Sequence, residues 1–252
     1  FEIFAVRFFQ ARGTYETRDT ATSLAMGSGN VVVESVFSML SYVPLFWAYE
    51  HRLYTLGFGW AAVLSCFVLD DFRYYWKHCI AHRCRWVWAM HVNHHSSQHY
   101  NLSTALRQPW TDMFTGTILL RMPLAFMGFH PAVIALAGAA NLIYQFWIHT
   151  EAIRTMPAWF EAVFNTPSHH RVHHGTNARY LDANDAGVFI VWDKLFGTFV
   201  PERADDPVRY GLTTNLGTFN PLRVAVHEYV AIAADFFQAG LSWRERLRYL
   251  FA

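Results

Sequence analysis

The chain has 252 residues, of which 53% are hydrophobic and only 15% are charged, so its composition is typical of a protein that lies partly in lipid. The net charge of +1 gives no electrostatic basis for binding nucleic acid, and we expect no nucleic-acid partner. The three cysteines form no CxxC pair, which argues against a disulfide scaffold.

The first 30 residues are amphipathic, and a long apolar run follows them. The amphipathic first 30 residues form either a surface helix or the remainder of an earlier membrane helix. Because the chain begins with Phe1 rather than Met, we expect a further N-terminal piece. Residues 31–49 contain one acidic residue, Glu34, and a helix of about 19 residues spans roughly 28 Å, close to a bilayer core. This run is therefore the first predicted membrane span.

The second apolar run, residues 55–69, leads directly into a histidine motif. Asp70, Asp71 and the aromatic sequence YYW come between the run and the HxxxH pair at His78 and His82. Aromatic residues are enriched where a helix leaves the membrane. We therefore predict one helix that crosses the membrane and continues into the cytosol with both histidines.

Two more apolar runs, residues 110–129 and 131–148, are predicted to form a hairpin through the membrane and back. Gly128 and Pro131 favour a tight turn followed by a helix start. Arg121 lies inside the third run, where a charge either faces protein or a water-filled cavity, or snorkels from a helix end. An even number of crossings returns His149 to the side of the earlier histidines.

The C-terminal part is more polar and contains another motif, PSHHRVHHG at residues 167–175. The sequence GVFIVWDKLFGTF at 187–199 could be a strand or a buried helical turn, and we expect it to pack under the histidines. Two helical patterns follow Pro221, and the last, SWRERLRYLFA, is a basic amphipathic helix suited to a membrane surface. We expect residues 1–252 to form one membrane-embedded domain.

The spacing of the histidines predicts a metal site. On a helix, positions i, i+3 and i+4 share one face, so HxxxH presents two imidazoles and each HxxHH presents three. Clustered neutral imidazoles favour iron, zinc or copper over magnesium or calcium. Eight or nine are too many for one ion, so we predict two. Basic residues are concentrated on the histidine side, which the positive-inside rule assigns to the cytoplasm.

The residues favour oxidation over hydrolysis. The chain lacks the Glu of HExxH and any GxSxG elbow, which makes a zinc-type hydrolase the weaker prediction. A metal-binding or transport membrane protein is a third possibility. Reduced iron held by imidazoles with open positions can activate O₂, and a membrane site of this kind would oxidise a lipid C–H bond.

The order HxxxH, HxxHH, HxxHH with an apolar hairpin between the second and third motifs resembles the fatty acid hydroxylase/sterol desaturase superfamily. The stretches HHSSQHYNLSTALRQ (94–108), NLIYQFWIHTE (141–151), NTPSHHRVHHG (165–175) and GVFIVWDKLFGTF (187–199) are most similar to its alkylglycerol monooxygenase branch. The resemblance runs from about residue 15 to about residue 221. It implies an integral membrane protein. Together with the four apolar runs and the basic residues near the histidines, it leads us to predict an all-α protein with about four transmembrane helices and a cytoplasmic histidine-rich cap.

The resemblance also implies a chemistry and a ligand set. Two iron ions would use O₂ to hydroxylate a lipid C–H bond, and the ether-cleaving members take electrons from tetrahydrobiopterin. Hydroxylation beside an ether oxygen gives a hemiacetal that breaks down to a fatty aldehyde. A sterol or fatty acyl hydroxylase or desaturase is the alternative. The matching metal-binding histidines are His78, His82, His91, His94, His95, His149, His170, His173 and His174, and His169 is a further candidate.

Two residues depart from the ether-cleaving pattern. Arg83 follows the second histidine of the first motif, where those members have Glu, and Asp185 stands where they have Tyr in a DxNYAG phrase. These differences leave the metal centre intact and bear on the ether substrate and the electron donor. Asn101, Arg107 and Gln108 follow the second motif and are candidates to bind a polar head group or the reductant. Alternatively, Arg107 satisfies loop carbonyls or pairs with an Asp.

Overall fold

The computed structural model describes residues 2–251, and all the regular structure within that range is helical. The all-α prediction is therefore confirmed for the described part of the chain. The α-helices are α1 (Glu2–Phe9), α2 (Thr17–Glu50), α3 (Trp60–Arg83), α4 (Arg85–His95), α5 (Met122–Phe126), α6 (Pro131–Ile148), α7 (Ala158–Val163), α8 (Pro167–His173), α9 (Val191–Phe196), α10 (Pro221–Phe236) and α11 (Trp243–Phe251).

Two of these helices, α2 and α6, are long and apolar enough to cross a membrane. Little of the apolar part of α2 is buried in the protein, and side chains such as Met39 and Leu40 are largely exposed. A broad exposed apolar surface indicates contact with lipid rather than water. Helix α6 also exposes apolar residues, including Ile143, although almost half of it is buried.

Helix α3 carries the second apolar run from Trp60 onward together with the first histidine motif, as predicted, but it is not one of the two helices that are long and apolar enough to cross a membrane. It extends without interruption over 24 residues, which corresponds to about 36 Å. The buried Asp71 fixes the later chain to it by accepting hydrogen bonds from the backbone N–H groups of Val188 and Phe189, at 2.8 and 3.1 Å, and from Trp192 Nε1 at 2.9 Å. The segment 187–199 therefore packs on α3, the helix that carries His78 and His82, and its helical part is α9.

The prediction of a single third span over residues 110–129 is wrong. This run forms two 3₁₀ helices, Asp112–Thr115 and Thr117–Arg121, followed by the short α5. Gly116 between them has φ of +83°, and the Thr117 hydroxyl donates to the Asp112 carboxylate at 2.9 Å. Left-handed backbone and local side-chain bonds compete with a regular helix. Four regular spans are therefore not observed.

The predicted turn before α6 is present. Gly128 has φ of +105°, and a Cβ atom at this position would lie 2.2 Å from the backbone oxygen of Tyr54, so only glycine fits. Pro131 occupies the first turn of α6, and the His130 side chain accepts from the backbone N–H of Ala132. Both helical patterns predicted for the tail are also present, as α10 and α11.

Helix α1 packs against the protein through Glu2, which is 5% exposed. Its carboxylate accepts hydrogen bonds from the hydroxyl groups of Tyr15 and Thr150 and from the backbone N–H of Leu102. The N-terminal helix is thereby tied to the loop after the second histidine motif.

Candidate metal centre

The structure brings nine of the predicted histidines into two adjoining groups. Within each group, one potential ligand atom of every residue lies within 4.8 Å of those of the others. We refer to them as the five-histidine group, made of His78, His82, His91, His95 and His173, and the four-histidine group, made of His94, His149, His170 and His174.

Each HxxHH motif contributes to both groups. On α4, His91 and His95 are one turn apart and face the five-histidine group, whereas His94 faces the other. At α8, His170 and His174 belong to the four-histidine group and His173 to the five-histidine group. Two short helices therefore hold both groups in register, and α3 and the end of α6 complete them.

Backbone carbonyl groups orient several of the imidazoles. The Nδ1 atoms of His78, His173 and His149 lie 2.7, 3.1 and 2.7 Å from the carbonyl oxygens of Asp185, Ala183 and Gln145, respectively. A carbonyl only accepts, so each of these Nδ1 atoms carries the proton and each Nε2 presents a lone pair to the centre. This is how proteins commonly orient metal-binding histidines.

The inward nitrogens lack the hydrogen-bond partners they would need without a cation. His149 Nε2 faces His94 Nε2 at 3.1 Å and His170 Nε2 at 3.0 Å, although one lone pair can accept only one hydrogen in good geometry. The Nε2 atoms of His82, His173 and His174 are buried and have no partner among the described residues. Ions bound by these nitrogens would satisfy them, so the residues fit a pair of metal ions.

The protonation state also suits metal binding. Burial, reinforced by neighbouring histidines, lowers the pKa of His91, His95 and His173 well below the ordinary value, and burial lowers the pKa of His149 to about 4. At neutral pH these imidazoles are neutral, which is the form that binds a metal. An all-nitrogen donor set favours iron, zinc or copper over the oxygen-preferring magnesium and calcium.

The two residues that depart from the ether-cleaving pattern contact each other. The guanidinium of Arg83 lies 3.3 Å from the carboxylate of Asp185, which is completely buried. Asp185 also accepts from the Cys79 thiol at 3.0 Å, and its other oxygen lies 4.0 Å from His173 Nδ1. The pair is thus a charge-compensated unit directly behind the five-histidine group.

His169, the tenth candidate, lies outside both groups. Its ring packs edge-on against Phe199 at 5.4 Å, and its backbone carbonyl accepts from Asn184 at 3.0 Å. The HxxHH spacing selects His170 and not His169, which precedes that motif.

Two of the three candidates for binding a head group or reductant have structural contacts instead. Arg107 is 2% exposed and donates to the Asp19 carboxylate at 2.7 Å and to the hydroxyls of Ser23 and Ser96. Asn101 is 1% exposed and bonds the Thr14 carbonyl and Ser103. The alternative prediction for Arg107, pairing with an Asp, is the one observed.

Gln108, the third candidate, lines a cavity of about 650 Å³ between α2, α3 and α6. We call it the inter-helix cavity. Arg121 also lines it and lies 3.7 Å from Asp70, so this arginine faces protein rather than lipid. The histidines at its inner end are His78, His91, His94, His149 and His170.

A second cavity, of about 510 Å³, reaches the histidines from another direction. Its walls are the ends of α3 and α4, the loop from His173 to Asp182, residues 211–216 and α10, and we call it the tail-side cavity. Four of the nine clustered histidines, His82, His95, His173 and His174, line it, and so does His227 of α10. Each of the nine histidines therefore lines one of the two cavities.

Sequence reasoning missed several side chains that hold the centre in place. Asp193 accepts from the backbone N–H groups of Asp185 and Ala186 at 2.7 and 2.8 Å, and so fixes the loop that orients His78. Tyr100 donates to the Ile148 carbonyl at 2.9 Å, and its ring lies over His149 and His174. In the sequence, Asp193 could be recognised as an aspartate inside an apolar stretch. No sequence pattern distinguished Tyr100.

Comparison with known proteins shows which family the chain belongs to. The family model described as fatty acid hydroxylase matches residues 63–198, which contain all nine clustered histidines. The chain belongs to the fatty acid hydroxylase family. The resemblance seen in the histidine motifs is thereby confirmed.

Curated relatives refine the family assignment. Alkylglycerol monooxygenase of Homo sapiens is 42% identical over 222 residues, which cover 87% of this chain and 48% of the relative. The Danio rerio enzyme of that name is 50% identical over 160 residues, covering 64% and 34%, respectively. An ornithine lipid hydroxylase of Rhizobium tropici is 28% identical over 161 residues, covering 64% and 46%. The chain spans about half the length of these relatives or less, and no solved structure matches it.

Proposed function

We propose that the protein is a membrane-bound, O₂-dependent lipid monooxygenase whose centre holds two iron ions. The observation that carries the proposal is the division of nine histidines into two adjoining groups with unpartnered inward nitrogens. The five-histidine group would hold one ion and the four-histidine group the other. Iron, when bound, supplies the activation of O₂.

The inter-helix cavity suits a lipid substrate. It lies beside α2 and α6, and its outer wall includes Leu142, Ile143 and Phe146, which also have surface facing outward. Its volume of about 650 Å³ lies within the range of small-molecule pockets, so it can take the reactive part of a lipid while the tail extends between the helices. The histidines at its inner end would then lie beside the C–H bond.

The charges of this cavity favour a neutral polar head. Lys77 pairs with Asp112 at 2.7 Å, and Arg73 pairs with Asp70 at 2.7 Å. With Glu34 and Arg121, the wall has three formally acidic and three basic residues, so it offers hydrogen bonds without a net positive charge for phosphate. An alkylglycerol, the substrate in the names of two relatives, meets this description.

In the proposed reaction, R–H, O₂, two electrons and two protons give R–OH and water. For an alkylglycerol, R–H is the carbon beside the ether oxygen, and the resulting hemiacetal breaks down to a fatty aldehyde and glycerol. The chain's own residues bind the lipid, orient it and exclude water from the buried histidines.

The test is an assay of the iron-loaded protein in lipid nanodiscs with O₂, an alkylglycerol and tetrahydrobiopterin. We expect fatty aldehyde in proportion to the alkylglycerol consumed. Oxidation of sterols or fatty acyl chains without aldehyde from the ether would transfer the proposal to those substrates. Failure to oxidise any lipid despite full iron loading would contradict the monooxygenase function.

We further propose that the histidines face the cytoplasm, because basic residues are more frequent on their side of the membrane. Residues 57 and 178 lie near opposite ends of the helices, and both side-chain positions are accessible. A cysteine introduced as Gly57→Cys should react with an impermeant maleimide on intact cells, whereas Ala178→Cys should react only after lysis. The opposite pattern would reverse the orientation.

A further inference from the structure

Helices α10 and α11 form a hairpin beside α4, and each exposes apolar side chains along one face. The exposed residues are Leu222, Val230 and Phe237 on α10 and Trp243, Leu247 and Phe251 on α11. The two faces meet at the turn, because the ring of Phe236 lies 5.2 Å from that of Phe237 and 6.1 Å from that of Trp243, measured between centroids. Together they form one apolar patch, and exposed patches of this kind mark interaction surfaces.

The opposite faces of the hairpin are attached to the protein. Val224 of α10 is buried against Met26 of α2. The turn is closed by Arg246 of α11, whose guanidinium donates to the backbone carbonyl of Phe236. The hairpin is therefore fixed in one orientation, with its apolar patch pointing away from the histidines and from α2.

The charges of the hairpin leave its exposed surface basic. Both acidic residues of α10, Glu228 and Asp235, pair with Arg85 at 2.7 Å. The acidic residue of α11, Glu245, caps the helix by accepting from the backbone N–H and the hydroxyl of Ser242 at 2.8 and 2.6 Å. By contrast, three exposed arginines form no ion pair within residues 2–251, namely Arg223, Arg244 and Arg248.

The hairpin begins at the depth where a membrane surface is expected. Met26, which contacts α10, comes five residues before Val31, the first residue of the exposed apolar run of α2. At 1.5 Å per residue, about 8 Å separate the two along the helix. Interfacial helices lie in this zone, with aromatic and aliphatic side chains at the boundary of the acyl chains and arginines among the head groups.

The unpaired arginines favour a lipid surface over a second copy of the chain. A two-fold interface brings the same patch of both copies together, so the three arginines of one copy would face those of the other. The carboxylates that could compensate them are already bound to Arg85 and Ser242. Anionic head groups, in contrast, attract arginines near a membrane surface.

We propose that the α10–α11 hairpin is a membrane-surface contact that inserts its apolar patch between lipids and binds anionic head groups with its unpaired arginines. This inference rests on the proposed membrane location and is independent of iron and of the reaction. Because both helices pack against α4, the contact would attach the second histidine motif to the bilayer separately from α2.

Nitroxide labels measure the depth of the hairpin in lipid nanodiscs. They are attached singly at Val230→Cys and Leu247→Cys in a Cys84→Ser background, which removes the one cysteine that is not buried. Met39→Cys on α2 is the lipid reference and Ala178→Cys the water reference, since both side chains are exposed. We expect collisions with O₂ to exceed those with a water-soluble nickel chelate at 230 and 247, as at 39, and the reverse at 178.

Charge variants test the chemistry of the head group. With the label at 247, inserted and free hairpins give separate spectral components, and adding phosphatidylglycerol to phosphatidylcholine should raise the inserted fraction. Arg244→Gln combined with Arg248→Gln should lower the ratio of inserted to free hairpin about five-fold for each arginine. Arg179→Gln combined with Arg209→Gln, at two other exposed arginines, is the matched control and should leave the ratio unchanged.

Several outcomes would overturn the inference. One is that the labels at 230 and 247 are as accessible to the nickel chelate as the label at 178. Spin–spin broadening that disappears on dilution with unlabelled protein would assign the patch to a second copy instead. Protection from both O₂ and the chelate would assign it to another protein segment, and no response to phosphatidylglycerol would remove the anionic head group. A label in lipid at 39 with labels in water at 230 and 247 would refute the hairpin contact and leave the membrane location intact. The monooxygenase assay has no bearing on these results, since the measurement needs neither iron nor turnover.

Discussion

The five-histidine and four-histidine groups are built from the same helices, yet their surroundings differ. Behind the five-histidine group lie two carboxylates, Asp185 and Asp182, the latter 3.5 Å from His82 Nδ1. The four-histidine group is bounded instead by the Gln145 carbonyl and the ring of Tyr100. Nearby carboxylates make imidazoles better electron donors to a metal. If each group holds one ion, as proposed, the two ions would experience unequal electrostatic environments.

The largest expected effect comes from removing a ligand. His170→Ala deletes a member of the four-histidine group, so we expect the metal-to-protein ratio to fall from two to about one. Activity should fall by more than the roughly 100-fold that is typical of residues that only orient ligands. Elemental analysis and the lipid assay measure the two effects. His169→Ala is the matched control, because that side chain lies outside both groups and should leave the ratio at two. Two ions in His170→Ala would remove the distinction between the groups.

A change in the scaffold that both groups share should affect them equally. Arg107 and Asp19 form a buried ion pair, 2% and 3% exposed at the side chain, and Arg107 also bonds Ser96 at the end of α4. Breaking such a pair costs about 3–5 kcal/mol, so Arg107→Ala should lower the unfolding temperature strongly and both ions should be lost together. Gln108→Ala should leave the unfolding temperature unchanged. A stable Arg107→Ala protein that is impaired only in reductant binding would restore the cofactor role expected from the sequence.

Asp185→Asn should act on the five-histidine group alone. The substitution keeps the backbone carbonyl that orients His78 and removes the charge near His173 and Arg83. We expect the affinity for one ion to fall about 10- to 100-fold while the other is retained. Competition with a chelator would resolve the two ions, and Asp205→Asn at an exposed ion pair serves as the control. Equal weakening of both ions would mean that Asp185 supports the whole loop and not one group.

The smallest effect concerns pH. Burial lowers the pKa of His149 to about 4 from an ordinary value of 6.5, so the unfolded chain takes up a proton at a higher pH than the folded protein does. The stability of the metal-free protein should therefore be intact above pH 6.5 and decline as the pH falls towards 4. Unfolding temperatures from pH 7.5 to 4.5 would measure this, and His149→Gln should flatten the profile. An unchanged slope in that variant would argue against His149 as a contributor.

The spacing of the histidines predicted which residues would meet, because helical periodicity fixes which side chains share a face. It could not predict that His91 and His94 would separate into different groups, since that depends on where α8 and α6 pack. The broken run at residues 110–129 was missed because hydropathy does not detect a left-handed Gly116 or the local bonds of Asp112. The role of Arg107 was open for the same reason: its partner Asp19 is 88 residues away in sequence.

Helix α2 combines an exposed apolar surface with contacts to Arg107, which lies next to the histidine centre. Its 34 residues correspond to about 51 Å, well beyond a hydrocarbon core of roughly 30 Å. The apolar surface near Met39 is exposed, as contact with lipid would require, while Asp19 and Ser23 at the other end of the same helix accept hydrogen bonds from Arg107. A mismatch between the apolar length of α2 and the thickness of the bilayer would tilt or shift this helix. That movement would displace Arg107 and the loop that follows α4. We therefore expect the acyl-chain length of the lipids in reconstituted vesicles to change how rigidly the histidines are positioned.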